Sequence, residues 1–265
     1  MSAPVRYRAV VAYVGTRFHG WQRQKNAPRT VQAVLEAALR PLAHHAAPVE
    51  GASRTDAGVH ADGQVVHFEL PRRREPRVVR DAWNDRLPDD VRVLSVDEAA
   101  RDFHARYDAA GKVYTYRWSR AAVIPPARSP FVAPLSPRAE AARMREAAGG
   151  LAGTRDFRVF SVSVPAGEST VRRLDEIAIE EDGDELSAVL RGEGFLRGMV
   201  RSICGVLADA SRGRVPVDRA ARLLDSGDRR LLSAKAPARG LTLTRVLYPG
   251  SGVPADSSPR VTLML

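Results

Sequence analysis

The chain has 265 residues, with 41 Lys and Arg against 31 Asp and Glu, a formal net charge of +10 and a single cysteine. This length supports a folded core without disulfide or metal staples, one cysteine excludes a disulfide within the chain, and the lack of a long apolar run excludes a membrane-spanning helix. The excess of positive charge favours a polyanionic partner, nucleic acid first, with arginine-rich genome composition as the alternative source.

The first residues of the sequence bear on localisation. Residues 1–8 lack the apolar segment of a secretory signal peptide. We therefore expect a cytoplasmic protein with no membrane partner.

The first half of the chain alternates between strand and helix patterns. Residues 6–14 alternate polar and apolar side chains and predict a strand. Apolar residues from Val31 to Leu42 have helical spacing, and Thr30 is a suitable N-cap before them. The other predicted elements of this half are strands over residues 64–70, 91–96 and 107–119 and a short helix over 78–85.

The second half follows a proline-dense segment, residues 124–137, which predicts an irregular crossing between two halves. Its predicted helices cover residues 138–148, 195–210 and 217–224, and its predicted strands cover 173–180, 186–191 and 241–248. The fold class is therefore mixed α+β, with a largely antiparallel sheet flanked by helices. We expect an N-terminal unit over residues 1–110, a C-terminal unit over 111–248 and a loosely held tail over 249–265.

The loop after the first strand, residues 15–25, mixes aromatic, basic and amide side chains. Trp21 and Arg23 in this loop suit base stacking and phosphate contact in RNA binding. The alternative is that Trp21 packs against the core, with solvated arginines around it.

The most informative segment is residues 51–61, because it places Arg54 and Asp56 between glycines just before a strand pattern. Such a loop, held rigidly in front of a sheet, is typical of an active site. Its alternative is an ordinary turn in which Asp56 caps the backbone.

The histidines do not predict a metal site. His19, His60, His67 and His104 lack metal-ligand spacing, and with one cysteine we expect no zinc. His60 and His67 are expected to be structural hydrogen-bonding residues. Cys204 lies in an apolar run and is expected to be a buried thiol.

Seven motifs, taken in order, resemble the bacterial tRNA pseudouridine synthase A (TruA) family. They cover the chain from about residue 7 to 248. The motifs are FHGWQRQ at 18–24, RTDAGVH at 54–60, GQVVHF at 63–68, FHAR at 103–106, KVYTY at 112–116, FLRGMVR at 195–201 and APARGL at 236–241.

This resemblance implies a pseudouridine synthase fold, with two similar halves around a central cleft. It implies a homodimer that isomerises uridine to pseudouridine in the anticodon stem-loop of tRNA, at the positions conventionally numbered 38 to 40. The isomerisation is redox-neutral, so no cofactor is expected.

The resemblance also assigns roles to residues. Asp56 is the catalytic carboxylate, which could attack C1′, add to C6 or remove the C2′ proton. Burial disfavours an ionised carboxylate, so a cation should lie beside it, and by resemblance that cation is Arg197. Tyr114 stacks on the target uracil and Arg54 fills the space left by the flipped nucleotide. Arg201, four residues after Arg197, would extend the positive surface toward phosphate.

Three alternatives differ from this function. An RNA-binding protein without turnover should lack the carboxylate, and Asp56 is present. A hydrolase using Asp and His needs a nucleophile or metal motif that the sequence does not contain. The same isomerisation on another uridine substrate stays open, because substrate choice lies in surfaces outside the motifs.

Overall fold

The elements of the protein are described in a computed structural model over residues 3–44 and 47–250. The strands are β1 Val5–Tyr13, β2 Glu50–Gly51, β3 His60–Leu70, β4 Val91–Glu98, β5 Gly111–Ser119, β6 Ala133–Pro134, β7 Gly153–Asp156, β8 Val171–Asp182, β9 Glu185–Gly192 and β10 Leu241–Leu247. The helices are α1 Val31–Ala43, α2 Pro76–Asn84, α3 Ala141–Gly149, α4 Met199–Ser211 and α5 Arg219–Ser226.

One sheet collects all these strands. Its order is β4-β1-β3-β10-β5-β9-β8-β7, with β2 paired to β3 and β6 paired to β5. Only β10 with β3 and β6 with β5 are parallel, and the other pairs are antiparallel. The predicted α+β class, with a largely antiparallel sheet and flanking helices, is confirmed.

Strand β10 lies in the middle of the sheet although it is the last strand among the described residues. It runs parallel to β3, where Thr242 is opposite His60, and antiparallel to β5, where Leu243 is opposite Tyr114. The end of the chain therefore joins the two predicted units into one sheet. Their boundaries stay a prediction.

A continuous cluster of buried side chains runs through both halves of the sheet. In the first half, Trp83 of α2 packs edge-on against Phe68 of β3, with ring centroids 4.8 Å apart. In the second half, Tyr116 and Trp118 of β5 pack together at 4.5 Å. The segment between β2 and β3, residues 52–59, is thus attached at both ends to strands of a packed sheet.

Two predicted elements start four residues later than their patterns indicated. The helix expected from residue 195 begins at Met199, because Gly198 has a left-handed backbone with φ of 76° and ends the preceding turn. The strand expected from residue 107 begins at Gly111, because His104 and Asp108 close a turn before it. The His104 N–H donates to the Asp108 carboxylate at 2.8 Å, and the Asp108 N–H donates to the His104 carbonyl at 3.1 Å.

The other predictions agree with the structure within a few residues. Thr30 caps α1, where its Oγ1 accepts a hydrogen bond from the Ala33 N–H at 3.4 Å. Residues 124–137 are irregular apart from β6, as predicted, and join β5 to α3.

Strand β7 was not predicted, because its four residues are all exposed and show no apolar alternation. Of the predicted tail, residues 251–265 lie outside the described residues.

Across residues 3–44 and 47–250, no helix combines the length and the apolar character needed to cross a bilayer.

Candidate active site

Loop 52–59 is bonded to the segment that follows β1. The Trp21 N–H donates to the Thr55 carbonyl at 3.1 Å, and the Gly58 N–H donates to the Phe18 carbonyl at 3.2 Å. The Thr55 and Tyr13 hydroxyls lie 2.8 Å apart within the core. Bonds on both sides of Asp56 therefore fix the backbone that carries its carboxylate.

The carboxylate of Asp56 pairs with Arg201 in the first turn of α4. Nη1 of Arg201 lies 3.2 Å from Oδ2 of Asp56, and the two side chains are only 15% and 22% exposed. Nε of Arg201 donates to the Ala236 carbonyl at 2.8 Å, while the Ala236 N–H donates to the Arg201 carbonyl at 3.0 Å. The guanidinium is thus held in place by the backbone at Ala236 and forms a charge-assisted hydrogen bond to the acid.

The predicted ion pair between Asp56 and Arg197 is wrong. The Arg197 side chain is exposed, and its carbonyl accepts from the Val162 N–H at 2.9 Å. Gly198 separates Arg197 from α4, so the two arginines do not share one helical face as the sequence pattern suggested. Nor does Arg201 point to an external phosphate, because its guanidinium is bonded to Asp56. A catalytic role for Arg197 stays a prediction.

Tyr114 of β5 is buried beside the same loop. Its hydroxyl lies 2.7 Å from Oγ of Ser53, and its ring meets Phe195 edge-on with centroids 5.2 Å apart. Burial raises the pKa of Tyr114 to about 12, and the nearby charge of Asp56 acts in the same direction. The phenol is therefore protonated at neutral pH and lies within electrostatic reach of the carboxylate.

Tyr116, two residues further along β5, does not join this site. Its hydroxyl donates to the Pro237 carbonyl at 2.8 Å, and burial raises its pKa. The structure thus distinguishes two tyrosines that share a strand face.

The remaining predicted substrate-binding and RNA-binding residues lie in different environments. Arg54 is exposed and forms no ion pair with any residue of the described ranges. Trp21 is 2% exposed and packs with Tyr13 at 6.2 Å between ring centroids. The prediction that Trp21 stacks on RNA is therefore wrong, and the alternative of a core anchor is confirmed. Arg23 pairs with Glu36 at 2.8 Å.

Three potential metal ligands come together where no metal site was expected. Ligand atoms of Glu50, His67 and His104 lie within 4.8 Å of one another. Nδ1 of His67 accepts the Ala105 N–H at 3.2 Å, and Nδ1 of His104 accepts two backbone N–H groups of the following turn at 3.1 and 3.2 Å. Because each Nδ1 accepts a hydrogen bond, the ring proton lies on Nε2, which leaves no lone pair there for a metal. These contacts favour a hydrogen-bond network over a metal site.

His60 connects three segments at the end of loop 52–59. Its Nδ1 accepts the Gly15 N–H at 3.0 Å, so its Nε2 is the donor to the Pro130 carbonyl at 2.9 Å. Burial lowers its pKa, which keeps the ring neutral. The expectation of structural hydrogen bonding by His60 and His67 is confirmed.

Sequence reasoning missed two supporting residues of the site, Ser53 and Gln64. Both amide atoms of Gln64 bond the backbone of Ser53: the Ser53 N–H donates to Oε1 at 3.1 Å, and Nε2 donates to the Ser53 carbonyl at 2.7 Å. Gln64 is fully buried on β3. A glutamine among apolar strand residues was the available signal, because a buried amide requires partners.

Comparisons with known proteins cover most of this site. A family model described as tRNA pseudouridine synthase matches residues 9–108 and 147–249, which include loop 52–59 and α4, while β5 lies between them. Three similar proteins are each called tRNA pseudouridine synthase A. That of Streptococcus mutans is 37% identical over 92% of this chain and 99% of its own. That of Methylobacterium nodulans is 41% identical over 94% of this chain and 98% of its own. That of Rhodospirillum rubrum is 40% identical over 93% of this chain and 88% of its own.

Proposed function

The chain belongs to the tRNA pseudouridine synthase family, whose members are isomerases, and we propose that it converts uridine to pseudouridine in the anticodon stem-loop of tRNA, at the positions conventionally numbered 38 to 40. The observation that carries this proposal is the contact of Asp56 with Arg201 at 3.2 Å. It provides a fixed, charge-paired carboxylate within the loop that bears the family motif.

The reaction breaks the N1–C1′ bond of the nucleotide and forms a C5–C1′ bond. The proton on C5 is lost and a proton is gained at N1, so atoms balance without a net change of oxidation state. We therefore propose a reaction without a cofactor. Asp56 supplies the carboxylate, by attack on C1′, by addition to C6 or by removal of the C2′ proton.

The proposed substrate is paired in a stem, so its base must leave the helix before reacting. Extrusion costs a few kcal/mol, and stacking and polar contacts in the site offset this cost. We assign the stacking contact to Tyr114, which borders loop 52–59. Arg54 is assigned to the space that the flipped nucleotide leaves, which agrees with its exposed side chain and lack of an ion-pair partner among the described residues.

The proposed partner is tRNA, bound by a homodimer in the cytoplasm. The net charge of +10 supports a polyanionic substrate. Light scattering of the purified protein measures the proposed dimeric state.

The test is release of tritium from tRNA that carries 5-tritiated uridine. We expect release by the natural chain and none by Asp56→Asn, which keeps the size of the side chain and removes its charge. Asp62→Asn, on the exposed side of β3, is the matched control and should release tritium at the natural rate. Filter binding should give equal tRNA affinity for all three proteins.

Other results would favour the alternatives. Binding of tRNA without release by the natural chain would indicate a binding protein or another uridine substrate. Release by Asp56→Asn at the natural rate would contradict the catalytic role of Asp56.

A further inference from the structure

The candidate active site contains a contact between two hydroxyl groups that the proposed reaction does not use. Oγ of Ser53 lies 2.7 Å from the hydroxyl of Tyr114, and either oxygen can donate. This bond connects the loop that carries Asp56 to the central strand β5. We propose that Ser53 is a positioning residue, which holds the Tyr114 phenol in the orientation needed for turnover; this inference rests on the proposed function.

Ser53 is suited to this role because its own position is fixed. Gln64 bonds both the N–H and the carbonyl of Ser53, at 3.1 and 2.7 Å. The adjacent Ala52 N–H donates to the Val65 carbonyl at 2.8 Å. The backbone of Ser53 is therefore fixed to β3 by hydrogen bonds. Its hydroxyl is held in one position and can restrict the orientation of the Tyr114 phenol.

Tyr114 in turn depends on Ser53. Its ring is 6% exposed and contacts Phe195 at its edge, and that contact restricts the ring without satisfying the hydroxyl. Among the described residues, Ser53 is the hydrogen-bond partner of this phenol. A buried hydroxyl without a partner is unfavourable, so loss of the serine hydroxyl should let the ring move toward other partners.

The same loop shows that a hydroxyl bond can be structural only. Thr55 bonds Tyr13 at 2.8 Å, but Tyr13 lies in the core and has no role in the proposed reaction. Ser53 differs because its partner is the residue assigned to the uracil. A test must therefore show that Ser53 acts through the phenol and not through the loop backbone.

A double-mutant cycle with Ser53→Ala and Tyr114→Phe makes this separation. We expect Ser53→Ala to lower single-turnover tritium release by about 2- to 10-fold, as for loss of one neutral hydrogen bond, with tRNA affinity unchanged within about 2-fold. Ser53→Thr keeps the hydroxyl and should restore most of the rate. In the Tyr114→Phe background, Ser53→Ala should have no further effect, because the bond is already absent.

Additive effects would overturn the inference, since Ser53 would then act through the loop. A loss of tRNA affinity that matches the loss of rate would also overturn it. Tyr7→Phe and Ser211→Ala remove buried hydroxyls far from the site, at bonds of 2.8 and 2.9 Å, and should leave the rate unchanged.

Urea unfolding of the same four proteins separates failure of this inference from failure of the proposed function. Non-additive unfolding midpoints report the bond between Ser53 and Tyr114 even in a protein without activity. No release by the natural chain contradicts the proposed function, and the role of Ser53 with it. Release by the natural chain together with additive rate effects contradicts the role of Ser53 alone.

Discussion

Loop 52–59 and the turn before α4, residues 195–198, meet at one site but are built differently. The loop is held by bonds from β3, from the segment after β1 and from Tyr13. The turn depends on one backbone conformation, the left-handed Gly198, and on bonds from Ser161 and Val162 to the Arg197 carbonyl. Several hydrogen bonds from three neighbouring segments fix the loop, whereas the turn combines fewer bonds with one left-handed glycine.

This difference in construction explains why the motifs identified the acid of the ion pair but not its arginine. Asp56 lies in the densely bonded loop, and its carboxylate contacts Arg201. Its catalytic role stays a prediction. The arginine partner lies after the turn. Helix α4 begins four residues later than the pattern indicated, and Arg201 rather than Arg197 contacts Asp56. A residue whose direction depends on one glycine is the harder one to assign.

The largest expected effect on turnover comes from replacing Arg201, and replacing Arg197 is the comparison. Arg201→Leu leaves the half-buried Asp56 carboxylate without its cation, so we expect tritium release to fall by at least about 100-fold. Arg197→Leu should lower release by less than about 3-fold, because its exposed side chain contributes at most a screened surface charge. Single-turnover tritium release measures both.

Arg201→Lys sharpens the same comparison. It keeps the charge but loses the planar guanidinium that bonds both Asp56 and the Ala236 carbonyl, so its rate should lie between those of the natural chain and Arg201→Leu. A larger loss from Arg197→Leu than from Arg201→Leu would show that the pair seen here is not the one used in turnover.

A smaller effect is expected from changing the turn itself. Gly198→Ala puts a side chain on a left-handed backbone, which costs about 1–2 kcal/mol of unfolding free energy, and its Cβ would meet Val162 Cγ2 at 2.5 Å. Turnover should fall as well, because the first turn of α4 carries Arg201. Urea unfolding and tritium release measure the two effects.

Two further glycine variants test whether the left-handed backbone at Gly198 causes these losses. Gly198→Asn adds the same Cβ but tolerates the left-handed region better, so it should be less harmful than Gly198→Ala. Gly227→Ala has a similar φ of 65° and open space around it, and it should lower stability without lowering turnover. Equal turnover in Gly198→Ala and the natural chain would refute the importance of this turn.

The smallest effect concerns the pH dependence of stability at the end of loop 52–59. The pKa of His60 is lowered by burial, so below about pH 6.5 the unfolded chain binds more protons than the folded one. His60 should therefore contribute full stability above that pH and lose it as the pH falls, by at most about 1.4 kcal/mol per pH unit.

Urea unfolding between pH 5 and 7.5 measures this contribution. His60→Gln should be less stable at pH 7.5 and should show a shallower decline toward pH 5 than the natural chain. Parallel curves for the two proteins would contradict a buried, neutral His60.

The sequence by itself determined the α+β class and most of the strands and helices, and it singled out the loop that carries Asp56. These follow from local causes: apolar periodicity, the Thr30 cap and a contiguous motif. Tertiary structure alone decided that β10 enters the middle of the sheet, that Arg201 is the partner of Asp56, that Trp21 is buried, and that Ser53 contacts Tyr114. The strand pairing, the ion pair and the hydroxyl contact each join residues more than 60 positions apart, which no local pattern encodes.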